Sequence, residues 1–211
     1  MAGVDERDSS PGRGYHHGDL RRALLDAAVA ALAESGPGTL SLRELARRAG
    51  VSHAAPAHHF GDKTGLLTAV AAEGFRLLDA AMRGAWEQTG DFLEVGVAYV
   101  LFAVEHPGHY EVMFSPELHD PSDADLSAAQ AAASELLFGP VALLVGADDD
   151  VTRVGVAAWS LVHGLATLWH NGVLPAELGE DEGEAARSVL RYLFAPLPGP
   201  DVGRGAKSGH D

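Results

Sequence analysis

Ser52, His53, His58, His59 and Lys63 set a hydroxyl, three imidazoles and an ammonium along one short stretch, with Ser41 and Arg43 just ahead of it. Donors of this kind hold phosphate oxygens and read the edges of bases. Covalent chemistry has no comparable foothold. No Gly-x-Ser-x-Gly elbow, phosphate-cradling glycine loop or His-Glu-x-x-His run occurs, so no catalytic residue is nominated and no enzyme activity is expected. His106, His109 and His119 do not follow a metal-ligand framework, and Pro107 breaks the helix between two of them. Neither a metal site nor a cofactor is expected.

The stretch from Ser41 to Phe60 reads as two short helices joined by a turn at Gly50, the arrangement of a helix-turn-helix. Ser41 and Glu44 make a capping-box pattern at the start of the first helix, whose inner face carries Leu42, Leu45, Ala46 and Ala49. Ser52 is the expected N-cap of the second helix, with His53, Ala54, His58 and His59 toward the groove and Phe60 anchoring its end. Pro56 has no N–H to give the Ser52 carbonyl, which predicts a short, stiff second helix. Ahead of this unit, Leu20, Leu24, Ala28 and Leu32 form one stripe of an amphipathic helix stopped by Gly36 and Pro37; behind it, Asp62 caps a new helix.

The order of helix, helix-turn-helix, His59-Phe60 ending and Asp62-Lys63 restart over residues 18–78 resembles the TetR family of transcriptional regulators. That resemblance implies an all-α fold, a DNA-binding head at 18–78 (motif 41–60) and an effector and dimerisation body at 79–195. It also implies a homodimer, most often a repressor, on a palindromic stretch of double-stranded operator DNA. A subset of the family with the run Ser-His-Ala-Ala-Pro shares Pro56. The family usually carries tyrosine where Ala57 stands, a side chain that commonly contacts phosphate. Its loss shifts the expected contacts to Ser41, Arg43, Ser52, the histidines and Lys63.

Charge distribution bears on that reading. The 211 residues are 46% hydrophobic and 21% charged, contain no cysteine and carry a net charge of -15. Residues 1–63 hold eight Lys or Arg against eight Asp or Glu, so the acidic excess lies beyond them. A neutral head on an acidic body predicts salt-sensitive binding through few phosphates. The polar N-terminus is unlike a signal peptide, and the longest apolar run, Val154 to Trp169, is shorter than a membrane span requires. It is expected as a buried helix in a cytoplasmic protein with no membrane partner. Residues 1–17 and 196–211 read as disordered tails, Arg7 and Arg13 forming a possible minor-groove arm.

The body is helical by pattern. Asp91, Asp120 to Asp125 and Asp148 to Asp150 open successive helices, and Ala186, Val189, Leu190, Leu193 and Phe194 line one side of the last. Trp159, His163 and Gly164 form a Trp-x-x-x-His-Gly run that resembles one C-terminal domain type of the same family, Gly164 admitting a close helix approach. Helices near 151–173 and 183–195 are the expected dimer seam. A small-molecule effector pocket is drawn from Trp86, Tyr99, Phe102, His106 and Tyr110 together with Met113, Phe114, Trp159 and His163, any of which also serves as ordinary core. His163 reads foremost as a hydrogen-bonded core residue. The alternatives are a helical ligand-binding or catalytic protein, or a scaffold, whose first helices do not bind DNA.

Overall fold

A computed structural model describes residues 17–144 and 150–194. Residues 1–16 and 196–211 of the two expected tails, with Arg7 and Arg13, and the Asp148-Asp149 pair lie outside the described residues, whereas His17 already belongs to the first helix. Every regular element among the described residues is helical, so the fold is all-α. Helix α1 (His17–Thr39) buries Leu24, Leu25, Ala28 and Leu32 and breaks at Gly36, whose φ of 69° only glycine adopts readily. Helices α2 (Leu42–Arg48) and α3 (Ala55–Phe60) follow, then α4 (Lys63–Thr89), α5 (Phe92–Glu105) and α6 (Pro107–Met113). The chain continues through α7 (Ala124–Phe138), the single turn α8 (Val141–Leu144), α9 (Val151–His170) and α10 (Glu182–Phe194).

Two caps differ from expectation. Ser41 stands at the N-cap of α2 without a side-chain bond, and Glu44 turns away from it toward Arg47 at 2.6 Å and Arg48 at 3.3 Å. Two guanidinium partners outcompete a neutral backbone N–H for one carboxylate, and they hold Glu44 down to about 2. Helix α3 begins at Ala55 rather than after Ser52, with Ala54 as its N-cap. Pro56 explains the delay. Starting at Ser52 would put proline where an intrahelical N–H is needed; starting at Ala55 moves it into the first turn, where none is. The Ser52 carbonyl is satisfied by the Ala55 N–H at 3.0 Å instead.

Asp62 accepts from the Gly65 N–H at 2.9 Å and opens α4 as expected. A β-carbon at Gly65 would collide with the Phe60 carbonyl, so this turn requires glycine. Helix α4 then runs unbroken past residue 78, so the expected boundary between head and body falls inside it. Its buried residues, among them Leu66, Val70, Phe75, Leu78 and Met82, pass from the head core to the body core. It packs on α5, α6 and α7; α5 packs in turn on α9 and α10, and α1 rests on α6. Asp91, Asp123 and Asp150 cap α5, α7 and α9 through Leu93, Leu126 and Arg153 N–H groups.

Helix α9 corrects two expectations. It is 20 residues long, enough by length and composition to cross a membrane, and only 22% of its most apolar window is buried. Gly155, Val162, Leu165 and Ala166 face the body, whereas Val154, Val156 and Leu168 stand exposed on the other side. The interior needs only one stripe of this helix. Among the described residues no helix of this chain makes the expected close approach at Gly164, where a β-carbon would meet nothing within 4 Å. Gly155 takes that role, lying against the Phe138 ring. On α10, Ala186 and Leu190 are buried and Val189 packs against the core. The side chains of Leu193 and Phe194 lie outside the described residues.

Candidate nucleic-acid interface and ligand cavity

The head presents an outer face made by α2, the turn after Gly50 and α3. Ser41, Arg43, Ser52, His53, Ala54 and His58 are exposed there, with His59 half-buried. His53 and Ala54 occupy the turn rather than the helix, and the His58 and His59 rings lie 5.4 Å apart. Ala55 and Pro56 point inward, and Phe60 seats its ring under the Arg21 guanidinium at 5.1 Å from the centroid.

The cations of this head are mostly engaged within the chain. Arg22 pairs with Asp26 and with Glu73, Arg47 with Glu44, and Arg48 with Glu34 and Glu44. Lys63 donates to the Pro37 carbonyl at 2.7 Å, so the side chain expected on the DNA backbone holds the end of α1. Arg43 is exposed, and among the described residues no acid, ring or carbonyl engages it. Its side chain is free to meet a phosphate oxygen without first breaking an internal bond.

In the body, the Tyr99 and Tyr110 hydroxyls each lie 3.0 Å from His163 Nδ1. Tyr99 also accepts from Trp159 Nε1 at 3.3 Å, which directs its own proton to the imidazole. Tyr110 lies 3.1 Å from the Thr167 hydroxyl, itself donating to the His163 carbonyl at 2.8 Å. Burial pushes His163 below the ordinary imidazole range and both phenols above theirs, so the cluster is neutral. Beside it lies a cavity of about 60 Å³, walled by Phe75, Tyr99, Phe114, Phe138 and Trp159. A second, smaller hollow of about 20 Å³, lined by Val95, Val162 and Leu190, shares Leu137 and Trp159 with the first as its wall.

Helix α6 touches both regions. Gly108 lies so close to α1 that a β-carbon would stand 2.6 Å from the Val29 carbonyl. His109 Nε2 meets Glu73 at 3.3 Å, and Glu73 also takes Arg22 of α1 at 2.8 Å. Tyr110, next along, reaches His163.

Comparison with known proteins accords with this architecture. Residues 24–70 match the family described as bacterial regulatory proteins, tetR family, and residues 92–193 match a tetracyclin repressor-like C-terminal domain. The HTH-type transcriptional regulator BetI of Rhizobium meliloti is 31% identical over 154 residues, 69% of this chain and 75% of that protein. The chain belongs to the TetR family of transcriptional regulators. BetI of Serratia proteamaculans is 47% identical over 49 residues, a span that covers only 25% of its length. A Rhodococcus protein of unknown function has a solved structure with a TM-score of 0.73 and 34% identity, covering 86% of this chain and 97% of its own. The TetR family regulator PfmR of Thermus thermophilus shares the fold, with a TM-score of 0.65, 23% identity and coverage of 83% and 98%.

Within this TetR-family chain, the effector candidates separate. Tyr99, Phe114 and Trp159 line the cavity, and Tyr110 and His163 stand behind it in the hydroxyl cluster. Phe102 and His106 stack on each other at 5.0 Å, Met113 packs against Gly74 of α4, and Trp86 sits near the far end of α4. None of those four reaches the cavity. Phe75, Leu78, Ala133, Leu137 and Phe138 do, and were not expected there. Their spacing is that of any buried helix stripe, so only the crossing of α4 and α7 distinguishes them.

Proposed function

We propose that this regulator is a ligand-responsive repressor that binds a palindromic operator as a homodimer. The observation that carries the reading is the outward face of the head. Arg43 of α2, His53 of the turn and His58 of α3 are each exposed, while Arg21, Arg22, Arg47, Arg48 and Lys63 are engaged within the chain. In this reading Arg43 supplies the principal backbone contact and His53, His58 and His59 read bases or adjacent phosphates. Lys63 contributes by bracing α1 and by placing the N-terminus of α4.

Dimerisation follows from the need to place two recognition helices about 34 Å apart. The exposed apolar face of α9 and the neighbouring α10 form the seam, and open Gly164 leaves room for the partner's helix. The effector occupies the cavity beside Trp159. Its entry shifts α6, which bears on α1 through Gly108, on Glu73 through His109 and on the cluster through Tyr110; α4 carries the same displacement along its length.

The test is binding of the full chain to DNA flanking its own gene, titrated against salt and a scrambled duplex, with Arg43→Ala alongside. Selective binding that weakens in the variant, with a salt slope lower by about one, supports the assignment. The neutral head and Ala57 favour one competing reading, a helical ligand-binding protein without DNA affinity. Indifference to every fragment of a genomic pool would establish that reading instead.

A further inference from the structure

We propose that the effector is a compact, uncharged aromatic or cyclic molecule carrying a single hydrogen-bonding oxygen. This rests on the assignment of the cavity beside Trp159 as the effector site and adds the chemical class it accepts. The cavity is walled chiefly by rings, and among the described residues no Asp, Glu, Lys or Arg lines it. An ion entering would lose its hydration without gaining a counter-charge. The nearby imidazole of His163 offers an anion nothing, because burial keeps it neutral. A quaternary ammonium would find aromatic faces here, but no carboxylate stands among the lining residues to complete its site.

Ring geometry favours a further ring. Phe75 meets Phe114 edge-on at 5.6 Å and 73°, and Phe114 meets His163 at 4.6 Å and 67°, so the walls offer both edges and faces to a planar guest. One polar handle is within reach. Ser134 donates its hydroxyl proton to the Gln130 carbonyl at 2.8 Å, and Tyr99 is held by His163 at 3.0 Å. The Trp159 N–H makes only a long bond of 3.3 Å to Tyr99. A ligand oxygen can take that N–H while Tyr99 keeps its bond to the imidazole. Among the described residues the adjoining hollow also has no charged side chain in its lining, so a larger guest displacing Trp159 would meet the same chemistry.

The full-length protein without DNA would be titrated calorimetrically with four probes of similar size. These are tert-butylbenzene, 4-tert-butylphenol, 4-tert-butylbenzoate and trimethylphenylammonium, the last nearly isosteric with the first. The phenol should bind about three- to tenfold more tightly than the hydrocarbon, as one added hydrogen bond allows, and both ions about 100-fold more weakly. Trp159→Phe should erase the preference for the phenol. Ala133→Leu, which fills the cavity, should abolish phenol binding with thermal unfolding still cooperative. Should that variant fail to fold, quenching or a shift of Trp159 emission by the phenol, absent in Trp159→Phe, reports occupancy. Binding of the ammonium or the benzoate more tightly than the hydrocarbon overturns the proposal, as does failure of all four to bind. Release of operator by an ionic probe would sink the ligand class and leave the regulator reading standing. Neutral probes that bind as expected without altering operator affinity would do the reverse.

Discussion

Lys63 Nζ reaches the Pro37 carbonyl at 2.7 Å, joining the first turn of α4 to the chain that follows the Gly36 break in α1. Replacing Lys63 by Met leaves a half-buried carbonyl without its charged donor. The variant should lose about 1–2 kcal/mol and a few degrees of Tm, measurable by thermal denaturation without DNA. Arg43→Ala, which removes an exposed and internally unpaired side chain, should leave Tm within about 1 °C while weakening DNA binding. Equal stability of the two variants would show that the Lys63 bond has no structural weight.

Gly108→Ala tests the contact between head and body. The added methyl would press on the Val29 carbonyl at 2.6 Å and the Ala33 N–H at 3.1 Å, both backbone atoms of α1. Backbone cannot rotate away, so the helices must separate, at a cost of about 1–3 kcal/mol. Reduced Tm together with altered operator affinity is expected. A normal Tm would mean that α1 yields freely.

Stability should depend on the protonation of buried histidines. His109 and His163 are both held below the ordinary value of 6.5, by burial in each case, with Glu73 opposing the effect at His109. The unfolded chain therefore takes up protons near that value while the native chain resists until lower pH. Native stability is fully present above about pH 6.5 and falls as pH drops toward the lowered native values. Thermal unfolding followed from about pH 7.5 to 5 should show this decline, and His109→Gln combined with His163→Gln should flatten it.

The proposed seam on the exposed face of α9 can be tested by charge. Val156 is 44% and Leu168 47% exposed in the single chain, on a helix whose opposite side packs on α5. A charge at either position leaves the chain's own core untouched but would be buried unpaired in a dimer seam. Val156→Glu and Leu168→Glu should yield folded monomers by sedimentation, with operator affinity reduced at least about 100-fold. Dimers of unchanged stability in both variants would place the seam elsewhere.

The head was legible because its signals are local. Gly36, Gly50 and Asp62 are punctuation that a chain reads within one turn, and each does in the structure what its residue type implies. Ser41 and Ser52 misled for the opposite reason: capping depends on what else competes nearby. Glu44 found two arginines, and Pro56 displaced the start of α3. The body candidates were legible in kind but not in place. Tyr99 meets Trp159 and His163 across 60 or more residues of chain. Phe75 and Phe138 join them only because α4 and α7 cross there, information that periodicity within one helix does not contain. Likewise, the apolar run of α9 reads the same whether its covering surface belongs to this chain or to another.

The six residues of α3 have a consequence for genome search. At 1.5 Å per residue the helix rises only about 9 Å, fewer than three base steps of 3.4 Å. So small a reader extracts little information from a single half-site, and isolated matches will recur throughout a chromosome by chance. In the proposed dimer, discrimination would then reside in the joint occurrence of two matches at one separation, making spacer length a stricter determinant of target choice than any individual base.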